Sequence, residues 1–174
     1  YIYPSSHRGA IRFDGSNDHI GLGRSFCHRQ ELGTGNVSYT QEAWFRLNAT
    51  PPGDTTSGYS IFGNASATGI GIQAILVGGN IRVNFGARST SNFEQATNLS
   101  LNTWYHVVAV RQAGVQNRIY INGQLDGTNS GSNLTISGTS QGEMQIGWSD
   151  TRVNNRMNGD IAMCRLYNTW LTDQ

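Results

Sequence analysis

Lysine is absent from this sequence: all 12 of its basic residues are arginine. Arginine holds planar, hydrogen-bonded contacts better than lysine, which a packed assembly favours; a compositional bias of the source genome accounts for the same fact equally well. Charge of either sign is scarce. Only 13% of the 174 residues are charged and the formal net charge is +1, so no global field recruits nucleic acid or an anionic membrane. With two cysteines, Cys27 and Cys164, a disulfide scaffold is excluded; at most one bridge forms, and two free thiols are the expectation. No stretch approaches the ~20 apolar residues of a membrane span, so membrane insertion is not expected. The chain opens at Tyr1 with neither Met nor an apolar leader, and is expected to be a processed or excised piece. Aromatics, by contrast, are plentiful: 7 Tyr, 6 Phe and 4 Trp argue against disorder.

The apolar pattern has a period of 2. Ile81-Arg82-Val83-Asn84-Phe85, Arg118-Ile119-Tyr120-Ile121-Asn122 and Met144-Gln145-Ile146-Gly147-Trp148 alternate apolar and polar residues, the signature of half-buried antiparallel strands. Gly/Asn/Ser clusters such as Gly78-Gly79-Asn80 separate them, and Asn122-Gly123 between apolar residues predicts a hairpin. Strands are expected near 10–14, 18–22, 37–47, 59–63, 69–77, 80–87, 104–111, 117–121, 124–127, 133–136, 142–147 and 159–167. Many short strands and no convincing long helix imply a sandwich or jelly roll. No linker or repeat divides the chain, so one domain over 1–174 is the economical reading.

Four blocks, in order, resemble a known family. Ala10-Ile11-Arg12-Phe13-Asp14-Gly15-Ser16-Asn17-Asp18-His19-Ile20 resembles the opening of laminin-G-like, concanavalin-A-like domains. Thr40-Gln41-Glu42-Ala43-Trp44-Phe45-Arg46 is similar to a second strand of that family. Leu101-Asn102-Thr103-Trp104-Tyr105-His106-Val107-Val108, followed by Ile119-Tyr120-Ile121-Asn122-Gly123, is the most specific segment. Gly159-Asp160-Ile161-Ala162, with Arg165-Leu166-Tyr167-Asn168 and Leu171-Thr172, resembles the closing strand, in the subtype seen in phage virion and bacterial surface proteins. The resemblance implies an all-β, two-sheet antiparallel jelly-roll sandwich. It does not imply one function, because this fold hosts lectins, glycosidase accessory modules, adhesion domains and viral surface proteins.

Glycosidases on this fold set two carboxylates on one strand face, about 5–5.5 Å apart for retention. No predicted strand carries such a pair. Glu42 is followed on its face by Trp44 and Arg46; Asp160 is followed at alternate positions by Ala162 and Cys164; Asp14 and Asp18 flank a turn. The four histidines lack metal-ligand spacing, and His106 reads as structural. No catalytic residue is assigned. Related domains often hold one structural calcium ion. The candidates here are Asp14, Asp18 and Asp160, though Asp14 and Asp18 read more readily as turn formers and Ala162 stands where many relatives are acidic.

Two tryptophans are candidates for stacking a sugar ring. Ala43, Phe45 and Leu47 share one strand face, which places Trp44 on the other between Glu42 and Arg46, or under a covering loop. Trp148 leads into a polar loop, so the candidate ligand site is Trp148, Asp150, Arg152, Asn154, Asn155 and Arg156; the alternative folds Trp148 onto the sandwich edge. Trp104 is expected in the core. The sequence therefore points to a non-catalytic extracellular, cell-surface or virion module that binds a glycan or surface polysaccharide. A structural virion component acting through capsid, fibre or other surface proteins is the alternative, and a glycoside hydrolase accessory module a minor one.

Overall fold

The structure, a computed structural model, describes residues 9–23, 37–53, 58–64, 71–86, 93–94, 96–130, 143–148 and 156–172. Among these, every regular element is a strand: β1 (Ile11–Asp14), β2 (Ile20–Gly21), β3 (Tyr39–Leu47), β4 (Tyr59–Asn64), β5 (Gly71–Val77), β6 (Asn80–Phe85), β7 (Phe93–Glu94), β8 (Trp104–Gln112), β9 (Gln116–Ile121), β10 (Gln124–Ser130), β11 (Met144–Ile146) and β12 (Asn158–Tyr167). They form two six-stranded sheets, in the orders β1-β12-β3-β8-β9-β10 and β2-β11-β4-β5-β6-β7. All the pairings are antiparallel. This is the two-sheet sandwich that the alternating pattern predicts. The two-residue β7 was not foreseen, and the strand expected at 133–136 lies outside the described residues.

The period of 2 works because successive side chains point to opposite faces of a sheet. On β3, Ala43, Phe45 and Leu47 are buried between the sheets, while Glu42, Trp44 and Arg46 alternate with them on the outer face. Val107, Ala109, Ile119 and Ile121 continue the inner face of the first sheet, and Ile72, Ala74, Val83 and Phe85 supply that of the second. All belong to one core cluster. Burying each large apolar side chain contributes about 1.5–3 kcal/mol before chain entropy is counted.

Two local devices fix the register. Asn122 and Gly123 adopt φ 51° and 81°, the left-handed pair that a two-residue hairpin loop requires, and join β9 to β10. Asn122 Oδ1 also accepts a hydrogen bond from the His106 N–H at 2.9 Å, which ties the hairpin to β8. The second device is a bulge in β12 between Ile161 and Met163. It sets Asp160 opposite Arg46 on the outer face, but Cys164 opposite Ala43 on the inner face. Simple alternation, which puts Asp160, Ala162 and Cys164 on one face, is therefore wrong across this strand: the extra residue reverses the parity.

Candidate functional site

The outer face of the first sheet carries a row that crosses four strands. Arg12 on β1 lies opposite Asp160 on β12, Asp160 opposite Arg46 on β3, and Arg46 opposite Trp104 on β8. Arg12 Nε donates to Asp160 Oδ1 at 3.0 Å. Arg46 donates to Oδ2 through Nε at 3.1 Å and Nη2 at 2.8 Å, and Asn48 Nδ2 adds a third bond to the same oxygen at 3.3 Å. The Arg46 guanidinium also lies over the Trp104 ring, 5.4 Å from its centroid. Burial alone raises the Asp160 pKa. The hydrogen bonds from Arg12, Arg46 and Asn48 and the charge of Arg46 more than offset it, and hold the carboxyl below its ordinary value. Ala10, Arg12, Arg46 and Asp160 line an open depression of about 430 Å³.

The next rows of the same face hold a second cluster. Trp44 stacks on His106, with ring centroids 4.8 Å apart and planes 17° from parallel. His106 Nε2 lies 2.8 Å from Glu42 Oε1, and Tyr167 donates its hydroxyl to Glu42 Oε2 at 2.7 Å. Arg165 stands 3.4 Å from that oxygen. Burial pushes the Glu42 pKa up, but the hydrogen bonds from Tyr167 and His106 and the charges of His106 and Arg165 together bring it below its ordinary value. Trp44 is thus on the outer face, half-buried, with one face of its ring against His106. Trp104, expected in the core, also lies on the outer face; its register with Arg46 turns Tyr105 inward instead.

Trp148 is half-buried beyond the end of β11. His19 meets it edge-on at 4.9 Å, and the Arg156 guanidinium lies over its ring at 4.9 Å. Arg156 Nη1 donates to the Ser16 carbonyl, which links this corner to the turn after β1. The candidate residues Asp150, Arg152, Asn154 and Asn155 lie outside the described residues, so only Trp148 and Arg156 of that set are placed.

In this structure the three carboxylates proposed for calcium are engaged by protein groups. Asp14 Oδ1 accepts the Ser16 N–H at 2.7 Å, and Asp18 Oδ2 accepts the Asp14 N–H at 3.0 Å, so both act as turn formers. Asp160 is occupied by two guanidiniums, which oppose a cation. Among the described residues, no group of three or more His, Cys, Asp or Glu side chains is gathered for a metal. Cys164 is a free thiol, and burial pushes its pKa up to about 12; Cys27 lies outside the described residues.

The face thus assembled includes residues that sequence reasoning missed: Arg12, Asn48 and the outward Trp104. A signal was available for Arg12, since it alternates with the apolar Phe13 on a strand expected near 10–14. None was available for Asn48, which reaches Asp160 from beyond the end of β3.

A laminin-G-type family model, described as Concanavalin A-like lectin/glucanases superfamily, matches residues 14–174. No curated protein sequence matches significantly. Among solved structures, the chain is similar to the heptameric SAP-like pentraxin from Limulus polyphemus, with TM-score 0.67 and 19% identity over 95% of this chain and 79% of that one. It is similar to domain 4 of an extracellular GH43 arabinanase from Geobacillus stearothermophilus, solved in complex with arabinotriose (TM-score 0.66, 19% identity, 98% of this chain and 76% of that one). The CBM40 of a Ruminococcus gnavus IT-sialidase, bound to α2,3-sialyllactose, is another (TM-score 0.65, 10% identity, 95% and 92%). At these identities the likeness shows the fold.

Proposed function

We propose that this chain, which belongs to the Concanavalin A-like lectin/glucanases superfamily, is a non-catalytic carbohydrate-binding module that works outside the cell, on a cell surface or on a virion. The observation that carries the reading is the Arg12–Asp160–Arg46–Trp104 row beside its open depression. Sugar recognition needs hydrogen-bonding groups held in fixed directions beside aromatic surface. Here Asp160 holds Arg46 through Nε and Nη2 and Arg12 through Nε, Trp104 backs Arg46, and Trp44 lies in the adjoining row. Related folds solved with arabinotriose and sialyllactose support a glycan as the ligand class. The carboxylates on this face are engaged by arginine, histidine and tyrosine, an arrangement that suits binding rather than acid–base work.

Affinity electrophoresis through gels containing soluble polysaccharides tests this. Retarded migration in at least one gel, reduced by Trp104→Ala, is expected. Unretarded migration across neutral and acidic polysaccharides alike would overturn the reading.

A second reading has one observation in its favour. Ile11 and Leu125, on the two edge strands of the first sheet, each leave 53% of their surface exposed. Exposed apolar residues at sheet edges suit packing against neighbouring capsid, fibre or surface proteins. Sedimentation of the assembled native particle with Ile11→Ser and Leu125→Ser variants tests it: loss of incorporation supports the structural role, and normal incorporation overturns it.

A further inference from the structure

We infer that the depression on the outer face of the first sheet selects acidic glycans: it takes the anionic group of a sugar, a carboxylate or a sulfate ester, on the arginine pair Arg12 and Arg46. This rests on the carbohydrate-binding reading and specifies its ligand. The lining holds two guanidiniums and one carboxylate, so its charge is positive, whereas the chain as a whole is nearly neutral at +1. The single carboxylate is withdrawn. The Asp160 side chain is 8% exposed, and both of its oxygens already accept hydrogen bonds from Arg12, Arg46 and Asn48. An incoming ligand therefore meets guanidinium first.

The two arginines are also differently held. Arg46 is 19% exposed, clamped by Asp160 on one side and the Trp104 ring on the other. Arg12 is 68% exposed and donates to Asp160 through Nε, so most of its side chain stays open to solvent. A guanidinium offers five donors in a planar fork that matches carboxylate and sulfate oxygens in pairs. Asp160 thus acts as an orienting group: it holds Arg46 through two nitrogens and Arg12 through one, without presenting its own charge to the ligand. Neutral sugars reach the same donors through hydroxyls, with weaker hydrogen bonds than those made to an anion.

The test is calorimetric titration of the whole chain with three tetrasaccharides: tetragalacturonate, a sulfated galactan tetramer and the uncharged galactan tetramer. At low salt (about 20 mM), at least one anionic tetramer is expected to bind about tenfold or more tighter than the neutral one, with the advantage shrinking at about 500 mM. Which anionic tetramer binds tells carboxylate from sulfate. Arg12→Gln is expected to lower the anionic affinity about tenfold. Arg82→Gln, on β6 of the other sheet, is expected to leave it unchanged. Unchanged melting temperature shows that each variant is folded. Equal affinity for neutral and anionic tetramers, or an anionic preference that survives Arg12→Gln, would overturn the inference while leaving carbohydrate binding intact. Failure of all three to bind at millimolar concentration would remove the carbohydrate reading, and this one with it.

Discussion

Arg46 and Asp160 face each other across β3 and β12, and Nη2 meets Oδ2 at 2.8 Å. The pair sits at the centre of the row that also contains Arg12 and Trp104, the row proposed to bind glycan. Asp160→Asn keeps the shape and removes the charge, leaving a mostly buried guanidinium without its counter-ion. The expected cost is about 2–3 kcal/mol, read as a lower urea midpoint at unchanged slope. An unchanged midpoint would show that the row contributes nothing to stability.

Acid should weaken the fold through the same groups. The pKa values of Asp160 and Glu42 are both held below their ordinary values in the folded chain, Asp160 by its arginine and asparagine partners and Glu42 by Tyr167, His106 and Arg165, in each case against burial. Groups with depressed folded values stabilise fully above the unfolded values of about 4 and lose that stabilisation as pH falls through the folded ones. Melting temperature is therefore expected to be flat, as far as these groups go, down to about pH 5 and to fall below it. Asp160→Asn should make the fall shallower. An equal fall in the variant would assign the acid sensitivity elsewhere.

The Cys164 thiol, pushed up to about 12 by burial, should be inert while the chain is folded. In a Cys27→Ser background, iodoacetamide at neutral pH is expected to modify Cys164 slowly in the native state and quickly in urea. Equal rates would mean that the inner face of β12 opens freely.

Calcium should not matter to this face. Asp14 and Asp18 are engaged in their own turn, and Asp160 lies between two guanidiniums. Adding calcium after chelation is expected to leave the melting temperature unchanged. A rise of several degrees would require a set of oxygen ligands different from these three.

The sandwich was legible because burial imposes its period on the sequence. Phe45 and Leu47 alternate with Trp44 and Arg46, and that alternation places Trp44 on the outer face without any coordinates. The Asn122-Gly123 hairpin was legible because few other dipeptides adopt two consecutive positive φ angles. The site was less so. The bulge between Ile161 and Met163 carries no compositional mark, yet it decides which residues of β12 accompany Asp160. The Arg12–Asp160–Arg46 row joins residues 34 to 148 positions apart in sequence, and only the strand order β1-β12-β3 brings them together. Trp148, singled out as the mouth of a polar loop, is engaged by His19 and Arg156, and most of that loop lies outside the described residues.

The most direct test of the central claim is an NMR titration of the labelled chain with an oligosaccharide that it binds, following the indole N–H signals of Trp44, Trp104 and Trp148 and the amides of Arg12 and Arg46. Glycan binding through the outer face of the first sheet predicts saturable shifts at Trp104, Arg12 and Arg46, with Trp148 unmoved. Shifts confined to Trp148, or none with any oligosaccharide, would contradict it.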